Sequence, residues 1–147
     1  MLQLIFKDDF VYYETSKNIY STFYVIVNNT TFPDNGWHDF PILALNMWNE
    51  NIIKNNYKKR CKFKLFFMDG PFYIECYKEG SNVSLRFINN KISPIEILTF
   101  QTTFSELKDS IYNGSTQFIN IISKREFGYL NELEKLQKTI KIIENLV

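Results

Sequence analysis

The sequence predicts one α+β domain over residues 1–147: an antiparallel meander of about six strands packed with about three helices, in the order β-β-α-β-β-β-β-α-α. Three observations predict it. Lys62–Met68, Phe72–Lys78 and Asn82–Ile88 alternate apolar and polar residues and can be laid antiparallel, with turns at Asp69-Gly70 and Gly80-Ser81. Elsewhere, apolar residues recur at helical spacing in three separate stretches. No linker rich in Ser, Gly or Pro, no repeat and no low-complexity tract divides the chain.

Taken in order, Leu2–Tyr13 and Ile19–Asn28 are rich in β-branched and aromatic residues and flank a polar loop, which reads as a strand pair. Asp8-Asp9 then marks a bend between strand halves. The run Phe32-Pro33-Asp34-Asn35-Gly36-Trp37-His38-Asp39-Phe40-Pro41 is a loop of breaker residues, with Asp39 placed to cap a following helix. That helix carries Ile42, Leu45, Trp48 or Asn49, and Ile52 on one face and ends near Asn55 or Asn56. Lys58, Lys59 and Arg60, followed by Lys62 and Lys64, read as its solvated C-terminal end, where cations suit the helix dipole.

The meander register sets Phe67 opposite Phe72, Leu65 opposite Ile74 opposite Phe87, and Phe63 opposite Cys76 opposite Leu85. On the other face Lys64, Glu75 and Arg86 line up, so opposite charges meet. Pro71 has no N–H to close a two-residue hairpin, and a four-residue turn over Met68–Pro71 keeps the same register. A fourth strand, Ile95–Thr102, is expected to place Ile95 opposite Leu85 and Ile97 opposite Val83 after a three-residue turn at Asn89–Lys91, with Pro94 marking an edge or a strand start. Thr103-Phe104-Ser105-Glu106 has the spacing of a capping box. It opens a helix with Leu107, Ile111, Gly114, Phe118 and Ile121 on its stripe, where Gly114 marks either a close approach to a sheet or a weak point. After Gly128 a last helix carries Leu130, Leu133, Leu136 or Gln137, Ile140, Ile143 and Val147 on one side, packed on its own domain or serving as a weak dimer contact.

Composition narrows function more than it names it. Lys and Arg total 17 against 16 Asp and Glu without a basic stripe, which argues against nucleic acid as the partner. The Met1–Phe6 stretch has no cationic lead and is stopped by Lys7, Asp8 and Asp9, so a cytoplasmic protein with neither secretory signal nor membrane span is expected. The 14 Phe, 9 Tyr and 2 Trp exceed what an aliphatic core uses, which points to an aromatic core with rings left over for an interface.

Few residues of the chain suit chemistry. His38 is the one histidine, and Cys61 and Cys76 lack metal-ligand or redox spacing. The acids Asp8 and Asp9, or Asp34 and Asp39, converge on nothing visible in the sequence. No phosphate-cradling glycine loop and no nucleophile elbow occurs. No cofactor, no metal and no catalytic residue is therefore assigned. The polar face of the meander stands out instead: Phe66, Tyr73 and Tyr77 sit among Lys62, Lys64, Glu75 and Arg86. Left uncovered, it is an interface of rings edged by charges; under a helix, it is core. Phe66, Tyr73, Tyr77, Lys64 and Arg86 are the candidate partner-binding residues, with Trp37 and His38 in the loop as second choice.

The stretch from Phe32-Pro33 through Trp37-His38-Asp39-Phe40-Pro41, with Leu45 and Trp48, followed by Phe67-Met68-Asp69-Gly70-Pro71-Phe72-Tyr73, resembles a pattern of small bacterial proteins. Among these are the immunity proteins of polymorphic-toxin and contact-dependent growth inhibition systems. The resemblance implies a non-enzymatic protein that neutralises a cognate toxin domain by tight binding and occlusion, and it implies no particular binding residue. A structural subunit of a larger assembly and a small hydrolase with a hidden carboxylate site are the other readings. Self-association through Leu130–Val147 favours the first of these, a deep pocket holding a perturbed Asp or His the second.

Overall fold

A computed structural model describes residues 1–146. Among them the chain forms β1 (Gln3–Phe6), β2 (Val11–Tyr13), β3 (Asn18–Val27), β4 (Thr30–Phe32), β5 (His38–Asp39), α1 (Pro41–Asn55), β6 (Arg60–Phe66), β7 (Phe72–Glu79), β8 (Asn82–Asn89), β9 (Ile95–Thr103), α2 (Phe104–Ile122) and α3 (Asn131–Glu144). The α+β class and the three helices are as expected, but the strands form two antiparallel sheets rather than one. One is built around β3, and the other has the order β6-β7-β8-β9.

The first sheet is a hairpin that the sequence broke in two. β1 pairs with Phe23–Ile26 and β2 with Asn18–Tyr20, separated by the bend at Asp8-Asp9. Asp9 stabilises the break, because its carboxylate accepts the Thr22 N–H at 2.9 Å and the Thr22 hydroxyl at 2.5 Å. The loop reading of Phe32–Pro41 is corrected at both ends, where Phe32 closes β4 and His38–Asp39 form β5. Asn28 and Asn29 both take positive φ, at 49° and 61°, which folds β4 back onto β3 through a two-residue turn. β5 then pairs with Ser21 and Thr22.

The second sheet has the predicted register through three strands: Leu65 with Ile74 with Phe87, Phe63 with Cys76 with Leu85, and Lys64 with Glu75 with Arg86. Phe67 donates its N–H to the Phe72 carbonyl at 3.1 Å, closing the four-residue turn that Pro71 requires. The fourth strand is shifted from expectation. Ile95 pairs with Asn89, Phe100 with Leu85 and Thr102 with Val83, with a bulge at Ile97 between the Glu96 and Leu98 pairings. A longer connection over residues 90–94 replaces the three-residue turn, and the bulge adds one more residue to the slip.

α1 begins at Pro41 with Phe40 as its N-cap and no side-chain cap bond, so Asp39 is not the cap it was expected to be. Its predicted face, Ile42, Leu45, Trp48, Asn49 and Ile52, is buried. The basic run does not end this helix. Lys58 and Lys59 lie in the connection, and Arg60, Lys62 and Lys64 already belong to β6, where they alternate on its exposed side. The cation that serves the helix C-terminus is Lys78, buried on β7, whose ammonium donates to the carbonyls of Asn55 and Asn56 at 3.1 Å each and to that of Lys58.

At the head of α2 the Thr103 hydroxyl accepts the Glu106 N–H at 3.1 Å, as a capping box requires. The reciprocal half differs, since the Glu106 carboxylate accepts the Thr102 hydroxyl at 2.7 Å. Gly114 marks a close approach: a Cβ there would stand 2.6 Å from Leu4 Cδ2 and 2.8 Å from Leu4 Cβ. α3 lies on the domain itself through Leu136, Ile140 and Ile143, and Val147 falls outside the described residues.

Ten of the fourteen phenylalanines are buried, so the aromatic excess is chiefly core. Phe23 meets Trp48 and Phe67, and Phe32 meets Phe67, Phe72 and Phe87. These rings join the two sheets and α1 into one cluster, to which α2 adds Phe118 against Phe6. Packing of such rings adds about 0.5–1.5 kcal/mol per pair beyond the area they remove from water.

Candidate functional site

Because β6, β7 and β8 alternate, their two faces differ, although Tyr73 and its cross-strand partner Ile88 are buried on the outer one. Phe63, Leu65, Ile74, Cys76, Val83, Leu85 and Phe87 point into the core, while Lys62, Lys64, Phe66, Tyr77 and Arg86 are exposed on the other side. The helices pack on the inner side, so the outer face is open. Phe66, on the edge strand β6, and Tyr77, on β7, keep 38% and 39% of their surface.

The charges on this face are of two kinds. Arg86 bridges its neighbours, donating to Glu75 Oε1 at 3.1 Å and to Glu96 Oε1 at 2.6 Å. The hydrogen bond from Arg86 holds the Glu96 carboxyl below its ordinary value. Lys62 and Lys64 make no ion pair among the described residues, and the Lys64 ammonium sits over the Tyr73 ring at 4.7 Å. The face thus presents aromatic surface flanked by free cations.

Tyr73 departs from expectation. It lies on the open face but is buried, with the Phe66 ring at 5.5 Å and Lys64 above it. Its place is to support Phe66 rather than to be touched. Phe66, Tyr77, Lys64 and Arg86 share the open face, whereas Trp37 and His38 lie apart from it. Trp37 packs on Phe72, which belongs to the inner face, and reaches Gly70, so it is wedged behind the β6–β7 turn.

The loop residues build a second cluster that the sequence reading missed. Asp39 is fully buried, and its carboxylate accepts Trp37 Nε1 at 2.9 Å and the backbone N–H groups of Phe40 at 2.6 Å, Met68 at 2.9 Å and Asp69 at 3.3 Å. Burial raises this carboxyl above its ordinary value, opposed by those four N–H bonds. Nearby, His38 presents Nε2 to Asp9 and Nδ1 to the Gly36 carbonyl, each at 3.0 Å. Burial raises the Asp9 carboxyl, but the two bonds from Thr22 and the neighbouring His38 outweigh it and leave it lowered. Tyr20 stacks on His38 and donates to Asp69 at 2.8 Å; burial and that carboxylate push its hydroxyl up to about 12.

No protein family, no curated protein and no solved structure matches this chain.

The geometry of the loop cluster is that of a clasp. The Thr22 hydroxyl gives its proton to Asp9, and its distance to His38 Nε2 is 3.5 Å. Cavities of about 290 Å³ between β1 and α2 and of about 230 and 420 Å³ between α2 and α3 are lined by no His, and the one Asp among their lining residues, Asp109, borders the 230 Å³ cavity with Lys108 and Glu144. Among the described residues no three of His, Cys, Asp and Glu converge as metal ligands would, and no helix is long and apolar enough to cross a membrane. One signal for the clasp was in the sequence, since Trp37 and Asp39 straddle the lone histidine. The partners Thr22, Met68 and Asp69 were not legible there, because only the tertiary fold brings them together.

Proposed function

We propose that this chain is a protein-binding module that docks one protein partner on the open face of the β6-β7-β8-β9 sheet. The observation that carries the reading is the pair of half-exposed rings, Phe66 and Tyr77, flanked by the unpaired cations Lys62 and Lys64 on an uncovered sheet. Rings provide desolvated anchors, and lysines around them favour a partner with an acidic rim. The immunity role implied by the sequence resemblance is the specific form of this reading: a toxin domain held on this face, inhibited by occlusion rather than by turnover.

Capture of the tagged protein with the product of the adjacent gene, followed by co-expression of the two, tests it. A stoichiometric complex that suppresses toxicity, and that Phe66→Ala, Tyr77→Ala and Lys64→Glu each weaken by about tenfold or more without changing the urea midpoint, supports both function and surface. A complex untouched by all three variants places the partner elsewhere. Absence of any complex or protection removes the immunity reading.

A further inference from the structure

The two edges of the second sheet are treated differently. β6 is sealed by α1: the Trp48 indole donates to the Phe66 carbonyl at 2.8 Å and the Asn51 amide to the Lys64 carbonyl at 3.2 Å, satisfying main-chain groups that point away from β7. Lys62 and Lys64 add charge to that edge, a common protection against strand addition.

β9, at the other edge, has neither device. The Phe104 N–H bonds to the Ser81 carbonyl at 2.8 Å, and Thr102, Phe100 and Leu98 are the partners of Val83, Leu85 and Phe87. In an antiparallel ladder the residues between these, Thr99 and Gln101, turn both N–H and C=O outward, and Thr103 its N–H. Among the described residues no hydrogen bond from another element reaches those groups. From Ile97 to Thr103 the strand carries no ionised side chain, and Ile95 and Ile97 stay 56% and 53% exposed beside the fully exposed Ile92. Glu96, the one charge on β9, is already tied to Arg86.

We propose that β9 is a dimerisation edge that pairs antiparallel with β9 of a second copy of this chain. The strand is complementary to itself. A two-fold axis at Phe100 sets Phe100 against its own copy, Leu98 against Thr102, and Thr99 against Gln101, which exchange both main-chain bonds. No like charges meet, and a half-buried ring gains an aromatic cross-strand partner. The product is one continuous eight-stranded sheet whose two open faces lie on the same side, so the dimer presents the docking surface twice. The inference does not depend on what that surface binds.

Sedimentation velocity on the full chain, up to about 100 µM, tests the proposal. Two variants accompany the wild type: Thr99→Lys, which places a charge at the edge, and Gln101→Pro, which removes an N–H that takes no part in the β8 ladder. A third, Ile142→Glu, alters the exposed side of α3. The wild type is expected to dimerise, with Thr99→Lys and Gln101→Pro each weakening the dimer by about tenfold or more. Their far-UV spectra should be retained and Ile142→Glu should have no effect. A monomeric wild type overturns the proposal. So does a dimer that survives Thr99→Lys, or one that dissociates only with Ile142→Glu.

Discussion

Replacing Asp39 by alanine is the sharpest test of how the loop and the second sheet are joined. The carboxylate is fully buried and accepts four N–H groups, from Trp37, Phe40, Met68 and Asp69, the last two some thirty residues away in the turn after β6. A buried donor left without an acceptor costs about 1–3 kcal/mol. Asp69 sits at an exposed turn and water can replace its bond, so three sheltered donors remain. At the lower half of that range, about 1–2 kcal/mol for each of the three, Asp39→Ala loses roughly 3–6 kcal/mol, a large fraction of the stability of a domain this size. Asp39→Asn keeps one acceptor oxygen but turns an NH₂ toward the donors, and is expected to lose roughly half as much. Urea unfolding measures both, with the m-value unchanged if the denatured state is unaltered. A cycle with Trp37→Phe isolates the indole bond and should return a coupling of about 1 kcal/mol or more. If Asp39→Ala loses less than about 1 kcal/mol, the four bonds do not act as a buried clasp and the argument fails.

Further outcomes follow from the same geometry. Asp9 and Asp39 depart from the ordinary carboxylate value in opposite directions, so their pH dependences oppose. The lowered Asp9 contributes stability that is present above its unfolded value and is lost as pH falls through its lower folded value; Asp9→Asn should remove this acid-side loss in urea titrations across roughly pH 2–6. The raised Asp39 makes its contribution less favourable as pH rises from its unfolded to its folded value, so the wild-type advantage over Asp39→Asn should shrink across that interval. Gly114→Ala gains about 1 kcal/mol in helix propensity yet places a methyl 2.8 Å from Leu4 Cβ, and a net loss of about 1–2 kcal/mol by thermal unfolding is expected because Cβ cannot swing aside as a side-chain tip can. Lys78→Met leaves three carbonyls without their ammonium donor and should lose about 2–4 kcal/mol, with hydrogen exchange speeding up most at the end of α1; uniform protection there would refute the capping role.

The candidate binding face was largely legible in the sequence. Alternation, two short turns and a charge ladder through Lys64, Glu75 and Arg86 leave three strands only one register that buries all the aliphatics. That register places Phe66 and Tyr77 on the far side. Whether a helix covers that side is a question about where three amphipathic helices go, and all three expected apolar stripes are satisfied by the inner face and by each other. Tyr73 shows the limit of parity: a strand pattern assigns its face, but the Phe66 ring and the Lys64 chain decide its exposure.

By itself, the sequence determined what depends on neighbours a few residues apart: the α+β class, the helix stripes, the four-residue turn at Pro71, the Thr103 cap and the meander register. Only the tertiary structure decided what depends on partners far along the chain. A longer connection over residues 90–94, with a bulge at Ile97 adding one residue more, moved β9, because the extra residues are selected by packing rather than by alternation. Asp39 left the helix cap for the Met68 and Asp69 amides, and Lys78, read as a strand residue, became the cation at the end of α1. In each case a polar group buried by the fold took the hydrogen-bond partners that long-range packing brought within reach.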